Sequence, residues 1–237
     1  MRGLALRRLI EFSNRCVLLP LLQWIYPTNC ILCESSEIEG LNQVCNKCWH
    51  QLPRTTDTAI SNLWLVREED LLVFIARFHA FFDFNEGIQK IIHEMKYNGK
   101  TRIAREIIRF LKKDISNHFH EIEIIIPIPL HTKRQKERGY NQSELLAREI
   151  AIILEKPFFT NVVKRVTNTK SQTQLDAHER LENMAGAFSV SDNQKIQEKV
   201  ILLIDDLITT GSTLNECARI LKENKAKEVY ALALARA

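Results

Sequence analysis

Two adjacent carboxylates, Asp205 and Asp206, end an unbroken aliphatic run, Val200-Ile201-Leu202-Leu203-Ile204. Leu207-Ile208 and then Thr209-Thr210-Gly211-Ser212-Thr213 follow, with four hydroxyls around one glycine. Paired carboxylates offer acceptors for hydroxyl groups, and a hydroxyl-rich loop offers donors for an anion. The pattern around them predicts the elements that must position them. A continuous apolar run of this length suits a strand buried on both faces, as in a parallel sheet. Leu214, Cys217, Ala218 and Leu221 then recur at helical spacing. The loop therefore opens onto a helix N-terminus, whose N–H groups and dipole favour an anion. Gly211 lets the backbone approach closely. The expected order is strand, acidic step, anion loop, helix, with the strand stopping at the carboxylates.

A loop of the G-x-x-x-x-G-K-[ST] type would carry a lysine for its phosphates, and this loop has none. The carboxylates stand where a sugar joined to the bound phosphate would lie, and two acceptors suit a pair of ribose hydroxyls. The stretch resembles the phosphoribosyl-pyrophosphate (PRPP) motif of type I phosphoribosyltransferases. That resemblance implies that Asp205 and Asp206 bind the ribose 2′- and 3′-hydroxyls. It implies that Thr209, Thr210, Gly211, Ser212 and Thr213 hold the 5′-phosphate. The plainer reading is a buried strand ending in an ordinary capped turn; it leaves the joint occurrence of acidic pair and hydroxyl loop without a reason.

The chain of 237 residues has room for one domain of ordinary size and a small appendage. Its 45% hydrophobic and 26% charged residues are those of a soluble globular protein. A net charge of +4 permits an anionic ligand without demanding nucleic acid. Residues 1–26 carry Arg2, Arg7 and Arg8, but Glu11, Asn14 and Arg15 interrupt any apolar core. The run Cys16–Trp24 contains Pro20 and is too short to span a bilayer. An amphipathic helix that packs on its own protein is expected, with a peripheral membrane or partner contact as the alternative. Neither an integral span nor an export signal is read, and the expected location is the cytoplasm.

Cys30, Cys33, Cys45 and Cys48 form two C-x2-C pairs separated by eleven residues. Each pair brings two thiolates onto one tight knuckle, and two knuckles supply the closed four-sulfur shell of structural Zn²⁺. The disulfide alternative needs an oxidising compartment. With four cysteine ligands no position is open for a catalytic water, and metal binding would supply folding energy that so small a segment lacks. Cys217 lies on an apolar helix face and reads as core; Cys16 lies outside the pattern.

Along the chain, residues 1–26 read as the helix, 27–50 as the zinc module, 51–72 as a connecting segment and 73–237 as the main domain. Phe74–Phe82 alternates like a strand, and Asn85 reads as the N-cap of a helix carrying Ile88, Ile91, Ile92 and Met95. That helix stops near Tyr97-Asn98-Gly99. A helix over about 101–113, a strand Ile122–Ile128, a helix from Ser143 to Glu155 and a strand Phe158–Val166 follow. Residues 167–185 are polar and loop-like. A helix over 212–223 with Asn224 as left-handed cap, and a strand Val229–Ala235, close the chain. Alternating strands and helices predict an α/β fold with a mostly parallel sheet flanked by helices, and ligands in such sheets lie beyond the carboxyl ends of strands.

Two further blocks adjoin that end. Pro127-Ile128-Pro129-Leu130 leads into His131–Gln142, dense in Lys and Arg. Arg134 and Arg138 suit a pyrophosphate, which arginine binds in a bidentate manner; a solvated basic loop is the alternative. The block Thr169-Lys170-Ser171-Gln172-Thr173-Gln174-Leu175, with Arg180, Asn183 and Gly186-Ala187-Phe188, has the length of a functional lid. Lys170 or Arg180 would then reach over the pyrophosphate; alternatively Arg180 pairs with Glu179 or Glu182 at the surface.

With Lys96-Tyr97-x-Gly99, the four cysteines and the run Leu203–Thr213, these blocks resemble the ComF (competence protein F) family of phosphoribosyltransferase-like proteins over about Pro27–Ala237. The resemblance implies a type I phosphoribosyltransferase core, an N-terminal zinc module, Mg²⁺ bound with PRPP, and a link to natural transformation or DNA uptake. Catalysis would fall to Asp205, Asp206 and Lys170, with Arg134 or Arg138 on the departing pyrophosphate. A full glutamine amidotransferase, which needs an N-terminal cysteine nucleophile, is not expected. The rival reading is a non-catalytic PRPP- or nucleotide-sensing module that binds single-stranded DNA or a helicase-type partner. Glu34, Glu37 and Glu39 against Lys47, with no aromatic inside Cys30–Cys48, argue against strong DNA affinity in the cysteine segment itself. No residue pattern marks a base-specificity element.

Overall fold

Apolar runs too long for an amphipathic strand form the centre of a sheet in the computed structural model, which describes residues 29–36, 38, 40, 42–55, 74–166 and 186–237. The expected N-terminal helix, Cys16, most of the connecting segment, Lys170 and Arg180 lie outside the described residues. The chain divides into two compact units, Met1–Gln51 and Leu52–Ala237.

In the first unit the described residues hold one short helix, α1 (Asn46–Gln51), with Cys48 and Trp49 buried. Cys30–Cys33 forms a tight turn closed by Glu34 N–H to Cys30 C=O at 2.8 Å.

The second unit runs β1 (Arg77–Asp83), α2 (Glu86–Tyr97), α3 (Arg102–Phe110), α4 (Lys112–His118), β2 (Ile124–Pro127), α5 (Thr132–Arg138) and α6 (Gln142–Leu154). It continues with β3 (Val163–Arg165), β4 (Phe188–Val190), β5 (Val200–Ile208), α7 (Ser212–Glu223) and β6 (Glu228–Arg236). The main sheet has the order β1-β6-β5-β2 with every pairing parallel. The two longest apolar runs, β5 and β6, take the central places, where both faces are covered. The α6 helix packs on β2 and β5, and α7 packs on β4, β5 and β6. Arg54 bridges Phe82 in antiparallel fashion, so the start of the connecting segment pairs with the outer edge of β1.

Asn85 caps α2 as expected, its Oδ1 accepting from Ile88 N–H at 2.9 Å; such a cap contributes about 1 kcal/mol. Other expectations are corrected. The helix over 101–113 is two helices, because the backbone leaves helical geometry at Leu111. Phe158–Val166 does not join the sheet as a strand: Phe158 makes a single bridge to Ile125, and Val163–Arg165 pairs antiparallel with Phe188–Val190. The basic block contains a helix, α5. Asn224 is not left-handed (φ −93°); Lys225 takes that conformation at φ 67°.

Candidate functional site

The register of β5 opens the site. Its neighbour β2 ends at Pro127, opposite Ile204, and the last bond between them runs from Ile128 N–H to Ile204 C=O at 2.9 Å. Pro129 has no N–H to continue the ladder. β5 runs on through Asp205 and Asp206 to Ile208, paired only with β6. The carboxylates therefore stand within the strand, where its neighbour has left, and not at its end as expected. A cleft of about 280 Å³ lies against this free edge, lined in part by Lys96, Arg134, Arg138, Arg165, Asp205, Asp206 and Thr213.

The two carboxylates have different surroundings. Asp206 is buried, at 3% exposure. Its Oδ1 accepts from Gln142 Nε2 at 3.2 Å, and its Oδ2 forms an ion pair with Lys96. Asp205 faces the cleft and is half-buried. Its Oδ1 accepts from Ser143 Oγ at 3.0 Å and from Asp206 N–H at 2.9 Å. Burial, and then the Asp206 charge, push its pKa up to about 7; the Asp206 N–H, Lys96 and Ser143 act the other way.

Gln142 and Ser143 reach the carboxylates from the first turn of α6, which the Tyr140-Asn141 pair fixes in place. Tyr140 Oη donates to Met95 C=O at 2.5 Å, and Asn141 Nδ2 donates to Ile128 C=O at 2.9 Å. Asn141 Oδ1 also caps α6 through Ser143 N–H at 3.1 Å. Gly139 makes the turn between α5 and α6 at φ 81°, a left-handed conformation that favours glycine. Arg138 Nη1 donates to Gln142 Oε1 at 2.8 Å.

Thr209–Gly211 joins β5 to α7. Gly211, which has no side chain to cap with, is the N-cap of α7 at φ 78°, and Thr210 Oγ1 accepts from Ser212 N–H at 3.5 Å. Thr210 Oγ1 and Ser212 Oγ share a hydrogen bond of 2.8 Å. A smaller recess of about 40 Å³ lies against this loop, with Asp205 and Thr209–Thr213 in its lining. Across the cleft, Arg134 and Arg165 both line the wall. Burial, and then the Arg134 charge, lower the pKa of Arg165, whose guanidinium lies 5.5 Å from the Phe188 ring centre.

The expected cleft residues are thus brought together apart from Lys170 and Arg180, which are outside the described residues. Lys96, Gln142, Ser143 and Arg165 were assigned no role from sequence. Lys96 and Gln142 stand in the Lys96-Tyr97-x-Gly99 and Tyr140-Asn141-Gln142 blocks, which carry a signal; Ser143 directly follows the second block, and Arg165 has none.

In the first unit, the Sγ atoms of Cys30, Cys33, Cys45 and Cys48 lie within 4.8 Å of one another. Cys45 N–H donates to Cys30 Sγ at 3.4 Å. Burial raises the Cys30 pKa, but N–H groups of Cys33, Cys45 and Leu32 outweigh it and hold the value at about 7. Burial and three neighbouring thiols push Cys48 well above the usual thiol range. Four thiols at one point, one of them easily ionised, fit the tetrahedral thiolate shell of zinc.

The second unit thus has a parallel α/β core with its acidic edge and hydroxyl loop, and residues 140–237 match the phosphoribosyl transferase domain family. Residues 21–59 match the double zinc ribbon domain, which with the thiol cluster supports structural zinc. The protein is of the phosphoribosyltransferase-like class, with a zinc ribbon at its N-terminal side. Competence protein F of Haemophilus influenzae is 33% identical over 208 residues, covering 85% of this chain and 82% of that relative. The chain belongs to the competence protein F family. Competence protein ComFC of Bacillus subtilis is 28% identical, covering 87% and 83%. The DNA utilization protein YhgH of Salmonella typhimurium is 30% identical, covering 65% and 69%. The names of these relatives support a competence link. Among the described residues no helix is long and apolar enough to cross a membrane.

Proposed function

We propose that the cleft binds PRPP, with the 5′-phosphate at Thr209–Thr213, the ribose at Asp205 and the pyrophosphate toward Arg134 and Arg165. The observation that carries this reading is the adjacency of Asp205 to the hydroxyl loop at the N-terminus of α7, where the N-cap is a glycine. The helix end favours an anion, and the carboxylate beside it accepts from hydroxyls. Asp206, closed by Lys96 and Gln142, holds the strand edge and the lysine in place. The oxygen donors of Asp205 and the hydroxyl loop fit a hard cation such as Mg²⁺. Bound with PRPP, Mg²⁺ supplies charge neutralisation at the pyrophosphate. The protein's part in any transfer is positioning and charge stabilisation.

Thermal unfolding tests this. A ligand at a hundred times its Kd stabilises by about 2.7 kcal/mol, roughly 5–10 °C in a domain of this size. PRPP with Mg²⁺ should raise the Tm of the wild type by this order and that of an Arg134→Ala/Arg165→Ala variant much less. Equal shifts would remove the arginines from the site.

A second reading is that the cleft senses PRPP or a nucleotide without turnover, while the protein contacts single-stranded DNA or a helicase-type partner. The names of the relatives favour it, as do Lys133 and Lys136, exposed on α5. Pyrophosphate release with a panel of acceptors separates transfer from sensing. Retention of single-stranded DNA that weakens steeply with salt, and is lost in Lys133→Glu/Lys136→Glu, would support the DNA contact.

A further inference from the structure

Lys96 closes the acidic edge from within the chain. It stands in the last turn of α2, where the helix dipole favours a cation. That turn is pinned: Tyr140 Oη donates to Met95 C=O, and Asn98 N–H donates to Glu94 C=O at 3.3 Å. From there the Lys96 ammonium forms an ion pair with Asp206 Oδ2 in the wall of the cleft. Both side chains are largely withdrawn from water, with 19% of Lys96 and 5% of Asp206 exposed. Gln142 Nε2 donates to the other oxygen, so both oxygens of Asp206 have partners from the chain itself. Asp205 is the carboxylate that faces the cleft. There the Lys96 charge opposes the repulsion from Asp206.

Two carboxylates on consecutive residues of a strand attract a cation, and a hard divalent ion takes oxygen ligands of this kind. Here an ammonium already stands among them, a compact point charge with three donors. A divalent ion reaching Asp206 would have to evict it from a largely buried pair, and two cations side by side repel. Removing the ammonium alone would leave a buried carboxylate without its counter-charge, a strongly destabilising change.

We propose that Lys96 is the resident counter-cation of the acidic edge, holding the position beside Asp206 and Asp205 that a free divalent metal would otherwise take. The edge then keeps one negative charge, at Asp205, with no metal bound. The proposal goes beyond the PRPP reading and does not depend on it. The bland account is an ordinary ion pair that ties α2 to β5.

Mn²⁺ alone, added to the zinc-loaded full chain, tests it. Binding is counted by electron paramagnetic resonance, and stability is read by thermal unfolding, in wild type, Lys96→Met and Lys96→Met/Asp206→Asn. Lys96→Met should melt below the wild type and take up about one more Mn²⁺ per chain. Saturating Mn²⁺ should raise its Tm by roughly 5 °C and leave that of the wild type unchanged. The double variant, its orphaned carboxylate neutralised, should fold and show neither effect. A Lys96→Met variant that takes up no extra Mn²⁺, or that stays equally unstable or unfolded with it, overturns the proposal and leaves the ordinary ion pair. A wild type that binds Mn²⁺ as Lys96→Met does overturns it as well. So does a double variant rescued to the same extent, since the ion then lies elsewhere. The assay holds no sugar phosphate, so none of these results bears on the PRPP reading.

Discussion

Gln142 joins Arg138 to Asp206: its Nε2 donates to the carboxylate at 3.2 Å while its Oε1 accepts from the guanidinium at 2.8 Å. One buried amide, 3% exposed, therefore links the basic helix α5 to the acidic edge of β5. Its orientation follows from its neighbours, since only the NH₂ group can serve the carboxylate and only the carbonyl oxygen can serve the arginine.

Gln142→Leu keeps the volume and removes both bonds. Asp206 then depends on Lys96 for its charge, and a buried acceptor loses a donor. The expected cost is about 1–3 kcal/mol, read as a lower urea midpoint with an unchanged slope.

Asp205→Asn should separate stability from binding. The folded pKa of Asp205 is about 7, raised above the ordinary carboxyl value first by burial. A raised carboxyl pKa means that the stability contributed at low pH is lost as pH rises through about 7. The amide carries no such cost. At pH 8 the variant should therefore melt about 2–4 °C above the wild type, the equivalent of ~1 kcal/mol in a domain of this length. The gain should shrink as pH falls below about 7 and vanish only at about pH 4, the ordinary carboxyl range. An equal gain at both pH values would contradict the assignment. PRPP binding should be lost even though stability rises.

Gly139→Ala tests the turn that sets α6 over the cleft. At φ 81° the added methyl group meets backbone strain, although nothing lies within 4 Å of its position. The expected destabilisation is about 1 kcal/mol, measured by chemical unfolding; a neutral result would mean that the turn relaxes freely.

The zinc ribbon should hold about one zinc per chain, and proton competition should release it as pH falls. Chelation should abolish the structure of the first unit, seen as new protease cleavage within residues 29–51. Cys33→Ser should act like the chelator, and full zinc retention in that variant would remove Cys33 from the shell.

The acidic pair, the hydroxyl loop and the four thiols were legible in sequence because each is a local pattern of reactive residue types. Lys96 was not: it lies on α2 while its partner Asp206 lies on β5, far along the chain, and only the tertiary fold makes them an ion pair. Arg165 was hidden for a related reason, since β3 joins β4 and not the main sheet. The α5 helix buries no residue, so it has no apolar periodicity to read. His131 Nδ1 accepting from Lys133 N–H at one end and left-handed Gly139 at the other define it instead. The acidic step reads as the end of its strand because the apolar run stops there, whereas pairing with β6 carries β5 on to Ile208; sequence also does not show where β2 stops, and the end of β2 opens the cleft.

The central claim is a PRPP site at the free edge of β5. The most direct test is calorimetric titration of PRPP with Mg²⁺ into the zinc-loaded protein, beside the Asp205→Ala/Asp206→Ala variant. Saturable binding at about one PRPP per chain, lost in a variant that still unfolds cooperatively, is the predicted result. No heat from a folded wild type, or equal binding by both proteins, would contradict the account.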